Sequence, residues 1–220
     1  MKKIFFLTIA LLIVNVLCAQ YKPEAVLIKG DAKFIDEAVN IYVKLDFSNA
    51  VQVKYDPKNK KEVKIIGRFV DRDSSEWNEY MYKIHNMGIK NSNKYAIKGN
   101  HSVRFVDSPE KAKYELDLCI DTLDCGDVMK AYYGNMSLGG AILVGKLVVR
   151  EIVTNNEVCV IKYNHLQYVG GQGVEWIRIH NITYGDAIGQ FLLGLNPTTR
   201  KVSNGPKAPN YPFLYPEKVQ

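Results

Sequence analysis

The sequence predicts an α+β fold: a largely antiparallel sheet of about six strands with two main helices packed on one face. Three observations predict it. Two stretches alternate apolar and polar residues with the period of a half-buried strand. Two long apolar runs flank a short polar turn. Two further stretches carry apolar residues at helical spacing. There is no internal repeat of about 20–50 residues and no strand–helix–strand unit carrying a phosphate fingerprint.

Ala25-Val26-Leu27-Ile28, closed by Gly30-Asp31, reads as a first strand. Val39, Ile41, Val43, Leu45 and Phe47 then alternate with Asn40, Tyr42, Lys44 and Asp46, so one face of this stretch is apolar. Ser48-Asn49 kinks it, Val51, Val53 and Tyr55 continue it, and Asp56-Pro57-Lys58-Asn59 marks a turn. From Asp73 the period changes. Asp73 can cap a helix, with Glu76 three residues on as in a capping box. Trp77, Tyr80, Met81, Ile84 and Met87 share one helical face, and Gly88 is expected to end the element. Asn91-Ser92-Asn93 reads as loop and Ser102 to Val106 as a short strand.

Ser108-Pro109-Glu110 opens a helix of one or two turns, with proline at the tolerated first position. Tyr114, Leu116, Leu118 and Ile120 alternate with Glu115, Asp117, Cys119 and Asp121, a second half-buried strand, and Asp124 to Ser137 is irregular. Ala141 to Val153 is almost continuously apolar, as a strand buried on both faces would be. Thr154-Asn155-Asn156-Glu157 supplies a turn, and Val158 to Val169 returns as the partner of a hairpin. Gly139-Gly140 admits a bend and Gly170-Gly171-Gln172-Gly173 a joint. Ile182, Ala187, Ile188, Phe191, Leu192 and Leu195 then suit an amphipathic helix ending near Asn196-Pro197. The expected organisation is residues 1–19 as a signal peptide, 20–200 as one α+β domain, and 201–220 as a Pro- and aromatic-rich tail or strap. Two domains split near Lys98 to Ser108 are the alternative.

The first nineteen residues carry the strongest functional signal. Lys2 and Lys3 form a positive start, and Ile4 to Val14 run apolar with Thr8 as the one interruption. That run is too short to cross a hydrocarbon core of about 30 Å as a helix. Leu17-Cys18-Ala19 then precedes Gln20, the three-part layout of a secretory signal peptide cleaved after Ala19. A lipid anchor at Cys18 is the competing possibility, although Leu17 stands where a lipobox usually has a small residue. The longest later apolar candidate, Leu138 to Val149, is interrupted by Gly145 and Lys146, so no transmembrane segment is expected in the mature chain. The expected location is the periplasm, the cell surface or the extracellular space.

Composition narrows the partners. The 220 residues are 47% hydrophobic and 24% charged, with 14 Tyr and 8 Phe, which excludes disordered and low-complexity classes. Without Lys2 and Lys3, 27 basic residues face 23 acidic ones, a surplus of +4 with six arginines. No electrostatic footprint for nucleic acid results, and Lys58, Lys60, Lys61 and Lys64 read as a solvated turn.

Three cysteines remain after signal removal, an odd number for an oxidising compartment. A Cys119–Cys125 bridge across a turn leaves Cys159 buried in Val158-Cys159-Val160-Ile161; a cross-strand Cys119–Cys159 bridge competes with it. None of His85, His101, His165 and His180 falls in an H-x-x-x-H or H-x-x-E-H pair. His85 suits the C-terminal end of its helix. No G-x-S-x-G elbow is present. Cys125-Gly126 with His165 downstream imitates the order of a Cys/His hydrolase without its flanking signature. Glu115, Asp117 and Asp121, followed by Asp124 and Asp127, are a candidate calcium cluster, with a wet strand face as the competing account. Asn135-Met136-Ser137 and Asn181-Ile182-Thr183 fit the glycosylation pattern, a match that would be accidental in a bacterial exported protein. Tyr211, Phe213, Leu214 and Tyr215 form an aromatic cluster, of which Tyr211, Phe213 and Tyr215 are the candidate partner-binding residues.

The order of these features, Val39 to Phe47, Trp77 to Met87, Lys113 to Ile120, Ala141 to Val169 and Ile182 to Leu195, resembles small exported α+β envelope proteins of Gram-negative bacteria with no assigned activity. It is also loosely similar to the N-terminal domain of the Tol-system translocation protein and related lipoproteins. The resemblance implies an accessory role in which an unknown envelope protein or surface ligand is bound, with no cofactor and no catalytic residue to carry over. The expectation is therefore an exported binding or assembly module. A periplasmic hydrolase using scattered acids and His165 is the alternative.

Overall fold

Eight strands join in a single mixed sheet in the computed structural model, which describes residues 25–55, 62–126, 141–168 and 174–192. They are β1 (Ala25–Gly30), β2 (Asn40–Asp46), β3 (Val51–Tyr55), β4 (Glu62–Arg68), β5 (Arg104–Val106), β6 (Tyr114–Asp124), β7 (Ala141–Glu151) and β8 (Glu157–Tyr168). The main path runs β1-β8-β7-β6-β2-β5, with β3 joined to β6 and β4 joined to β3. The β6–β7, β7–β8 and β1–β8 pairs are antiparallel, whereas β2 is parallel to both β5 and β6, and β3 is parallel to β6.

The expected sheet of about six largely antiparallel strands with two main helices on one face is overturned by this arrangement. Three strand pairs are parallel, and β4 adds a strand whose residues showed no alternation. Periodicity reports which face of a strand is buried but not its direction. The direction of β2 relative to β5 is set by the long helix between them, which returns the chain to run the same way.

That helix, α1 (Ser74–Lys98), starts where expected: the Asp73 carboxylate accepts from the backbone N–H groups of Ser75 at 2.9 Å and Glu76 at 3.2 Å. It does not end at Gly88. The chain continues helical through Asn91-Ser92-Asn93 because tertiary contacts outweigh their loop preference. Asn93 donates to the Phe105 carbonyl at 3.0 Å and accepts from the Phe105 N–H at 2.9 Å, tying α1 to β5. Gly88 serves a close approach instead: a Cβ there would lie 2.3 Å from the Tyr184 ring.

The C-terminal helical segment is also not one regular helix. It consists of α2 (Glu175–His180), a π-helical stretch over Asn181–Ile188, and α3 (Gly189–Leu192). Thr183 hydroxyl donates back to the Ile179 carbonyl at 2.7 Å within it. Tyr163 on β8 donates to the Ala187 carbonyl at 2.6 Å, fastening the segment to the sheet.

One continuous apolar core results. Ile41 and Val43 of β2, Leu116, Leu118 and Ile120 of β6, Leu147 and Val149 of β7, and Cys159 and Ile161 of β8 meet Ile84 and Ala96 of α1 and Tyr184 and Ile188 of the C-terminal segment. On the other side of the sheet, Val53, Tyr55 and Ile142 form a small second cluster. β2 and β3 lie end to end along β6, separated by a turn in which Asp46 accepts from the Ser48 N–H at 2.9 Å. The kink expected at Ser48-Asn49 is this break. The expected hairpin of β7 and β8 forms, with Leu147 opposite Ile161. Among the described residues, no helix is long and apolar enough to cross a membrane. The signal peptide with Cys18, the 56–59 turn, Lys58, Lys60, Lys61, Asp127, Asn135, the joints at Gly139-Gly140 and 170–173, the Asn196-Pro197 helix end and the 201–220 strap lie outside the described residues.

Candidate functional site

A cavity of about 210 Å³ opens where α1 and α2 begin, lined by Arg72, Asp73, Glu76, Trp77, Tyr80 and Glu175. The local sequence builds it directly. β4 ends in a single 3-10 turn, Phe69–Asp71, which buries Phe69 and leaves Arg72 extended before the Asp73 cap. Phe69 and Trp77 pack at 5.3 Å between ring centres, and Phe47 meets Trp77 edge-on at 5.2 Å. The Arg72 guanidinium lies 4.5 Å from the Phe69 ring centre and 5.2 Å from that of Trp77.

The same guanidinium donates at 2.7 Å to Glu175 Oε1 and at 2.7 Å to Gln52 Oε1. Burial works against its charge, but the bond and charge of Glu175 outweigh that and hold its pKa above the ordinary arginine value. Arg72 therefore joins β3, the start of α1 and the start of α2. Cys125 is buried against this group; burial, and then the charge of Glu175, raise its pKa well above the ordinary thiol value, which leaves it a protonated and poor nucleophile. The Arg72–Glu175 pair was not legible in advance, because neither residue belongs to a recognisable motif and the two meet only through the fold.

The candidate acids are dispersed. Glu115 stands opposite Arg150 in the β6–β7 register, Asp121 is exposed where a bulge between Ile120 and Thr122 breaks that register, and Asp117 is buried. Asp117 Oδ2 lies 3.8 Å from Lys44 Nζ and 3.6 Å from Arg150 Nη1. Arg150 continues to Glu157 at 3.6 Å, and Glu157 to Lys29 at 3.2 Å, so a ladder of alternating charge crosses five strands. Asp124 is buried and satisfied: it accepts from the N–H groups of Tyr55 at 2.8 Å and Gly126 at 2.7 Å, with Lys54 at 3.5 Å. Among the described residues, the group whose ligand atoms lie within 4.8 Å of one another is Asp46, Asp117 and Cys119, not Glu115, Asp117 and Asp121.

Cys119, Cys125 and Cys159 are free thiols. Cys119 lies within β6 and Cys125 directly follows it, so six residues of extended chain separate them, roughly 20 Å and far beyond disulfide reach. The expected bridge across a turn is not formed because the turn is strand. Cys119 and Cys159 are separated by the whole of β7, which pairs with both β6 and β8. Burial pushes the Cys159 thiol up to about 12.

The histidines are spread through the fold. His85 Nδ1 lies 2.8 Å from the Tyr184 hydroxyl, and His180 Nε2 lies 3.2 Å from Asn91 Nδ2. His101 is buried between an Asp36 carboxylate oxygen at 2.8 Å and the Leu192 carbonyl at 2.5 Å. His165 packs edge-on to Tyr55 at 5.3 Å between ring centres. Tyr211, Phe213 and Tyr215 lie outside the described residues.

No protein-family model and no curated protein matches this sequence. Solved structures with a partial likeness include the PelC dodecamer from Paraburkholderia phytofirmans, at 8% identity over 71% of this chain and 90% of that chain, with a TM-score of 0.35. A point variant of the same dodecamer is 9% identical over 76% of this chain and 97% of that chain, with a TM-score of 0.36. Likenesses of that order leave function to be argued from this chain's own residues.

Proposed function

We propose that this chain is an exported bacterial envelope protein that acts as a binding or assembly module. The Lys2-Lys3 start, the Ile4 to Val14 apolar run and the Ala19-Gln20 junction support export. The observation that carries the binding half is the cavity at Arg72. Its aromatic wall and its charge-assisted bonds to Glu175 and Gln52 hold the lining in place before any ligand arrives. Such pre-organisation lowers the ordering cost of binding.

The test follows the Trp77 indole and Arg72 guanidinium resonances while envelope glycans, peptides and lipid headgroups are titrated one class at a time. A saturable shift with one class, lost in a folded Arg72→Met variant, supports the reading. Resonances unmoved by every class would remove the cavity from the account.

A further inference from the structure

β2 and β6 run side by side in parallel, with Lys44 opposite Asp117 and Asp46 opposite Cys119. Residues two apart on a strand share a face, so Asp46, Asp117 and Cys119 project together from the face opposite the main core. One ligand atom from each lies within 4.8 Å of the others. Asp117 is 5% exposed. Both of its cationic neighbours, Lys44 and Arg150, approach Oδ2, and Oδ1 is buried with no hydrogen-bond partner. A charged oxygen removed from water and left without a donor is a costly arrangement, and an ion is one of the few ways to satisfy it.

We propose that Asp46, Asp117 and Cys119 form a site for a borderline-soft divalent ion of the Zn²⁺ class. The donor set decides the class. A thiolate beside two carboxylates disfavours the hard oxygen-seeking Ca²⁺ and Mg²⁺ and suits Zn²⁺, whose sulfur and oxygen bonds are about 2.3 Å and about 2.1 Å. A ring of ligand atoms within 4.8 Å closes onto such an ion through small side-chain movements. Asp46 and Cys119 are half-buried, so the face is open to an arriving ion and to water as a fourth ligand. Lys44 Nζ and Arg150 Nη1 lie 3.8 and 3.6 Å from Asp117 Oδ2.

Binding exchanges a proton for the ion: the Cys119 S–H bond breaks, the sulfur bonds the metal, and one proton leaves to solvent. Because the ligand sulfur must lose its proton, binding is favoured by rising pH.

The experiment titrates Co²⁺ and then Zn²⁺ into the purified mature chain under a non-thiol reductant. A thiolate-to-cobalt charge-transfer band is followed alongside calorimetry, with folding checked by melting. The expected results are one equivalent bound with the band present, the band lost in Cys119→Ser, and affinity lowered at least about tenfold in both Cys119→Ser and Asp46→Asn. Cys159→Ser should bind as the parent chain does. Asp46→Asn keeps the test usable should variants of the buried Asp117 fail to fold. Folded parent protein that binds neither ion, or a Cys119→Ser variant with unchanged affinity, overturns the proposal and leaves water as the partner of Asp117 Oδ1.

Discussion

Arg72 donates to Glu175 across 2.7 Å although 103 residues separate them in sequence. The bond fastens the start of α1 to the start of α2 at the wall of the cavity. Both side chains are less than one third exposed, at 23% and 29%, so solvent screens the pair only in part.

Replacing one partner leaves the other's charge in a half-buried site. Arg72→Met and Glu175→Gln should each cost about 1–3 kcal/mol in denaturant unfolding. The double variant should cost less than their sum, with a coupling of about 0.5–3 kcal/mol. Simple additivity would mean that the two residues do not act as a pair.

Gly88 distinguishes local preference from packing. Helix propensity alone predicts that Gly88→Ala stabilises α1 by about 1 kcal/mol. The fold predicts the opposite sign, because the new methyl meets the fully buried Tyr184 ring at 2.3 Å. Overpacking of this kind costs about 1–3 kcal/mol. A raised melting temperature in Gly88→Ala would show that α1 and the π-helical stretch do not approach so closely.

His85 and His180 should make the protein sensitive to mild acid. Burial holds both below the ordinary histidine value of 6.5. As pH falls through 6.5, the unfolded chain takes up protons that the folded chain refuses, so their contribution is fully present above that value and is lost below it. The urea midpoint should fall between about pH 7 and about pH 5, and the fall should be shallower in a His85→Gln, His180→Gln double variant. An equal slope in the variant would assign the loss to other groups.

Much of the element order was legible in the sequence, and the sheet was not. The alternation from Val39 to Phe47, the Asp73 cap and the apolar run from Ala141 each mark a local element, because solvent on one face and core on the other impose a period on side chains. The parallel pairing of β2 with β6 leaves no such mark, since it depends on where α1 delivers β5 and β6. β4 escaped notice because it sits at an edge with Ile65 and Ile66 both exposed, so its residues carry no buried-face period. Gly88 and Asn91-Ser92-Asn93 read locally as an end and a loop, yet the contacts of Tyr184 and Phe105 keep them helical.

The candidate site was less legible still. Acids on β6 were visible as a stripe, but a bulge beside Asp121 breaks it up, and the residue that joins Asp117 and Cys119 is Asp46 from a neighbouring strand. Arg72 and Glu175 likewise come together only through the packing of α1 against α2. An oxidising compartment and the closeness of Cys119 to Cys125 in sequence suggested a disulfide, and the extended strand between them holds those two thiols apart.

Export to the envelope is the claim on which the functional account rests, and the intact mass of the protein purified from its native host tests it most directly. The mass should be read with and without reduction after thiol alkylation in denaturant. The account predicts a chain beginning at Gln20, with Cys119, Cys125 and Cys159 all alkylated before any reduction. A chain beginning at an acylated Cys18 would place the same domain on a membrane surface. A cytoplasmic chain that retains residues 1–19 would contradict the account.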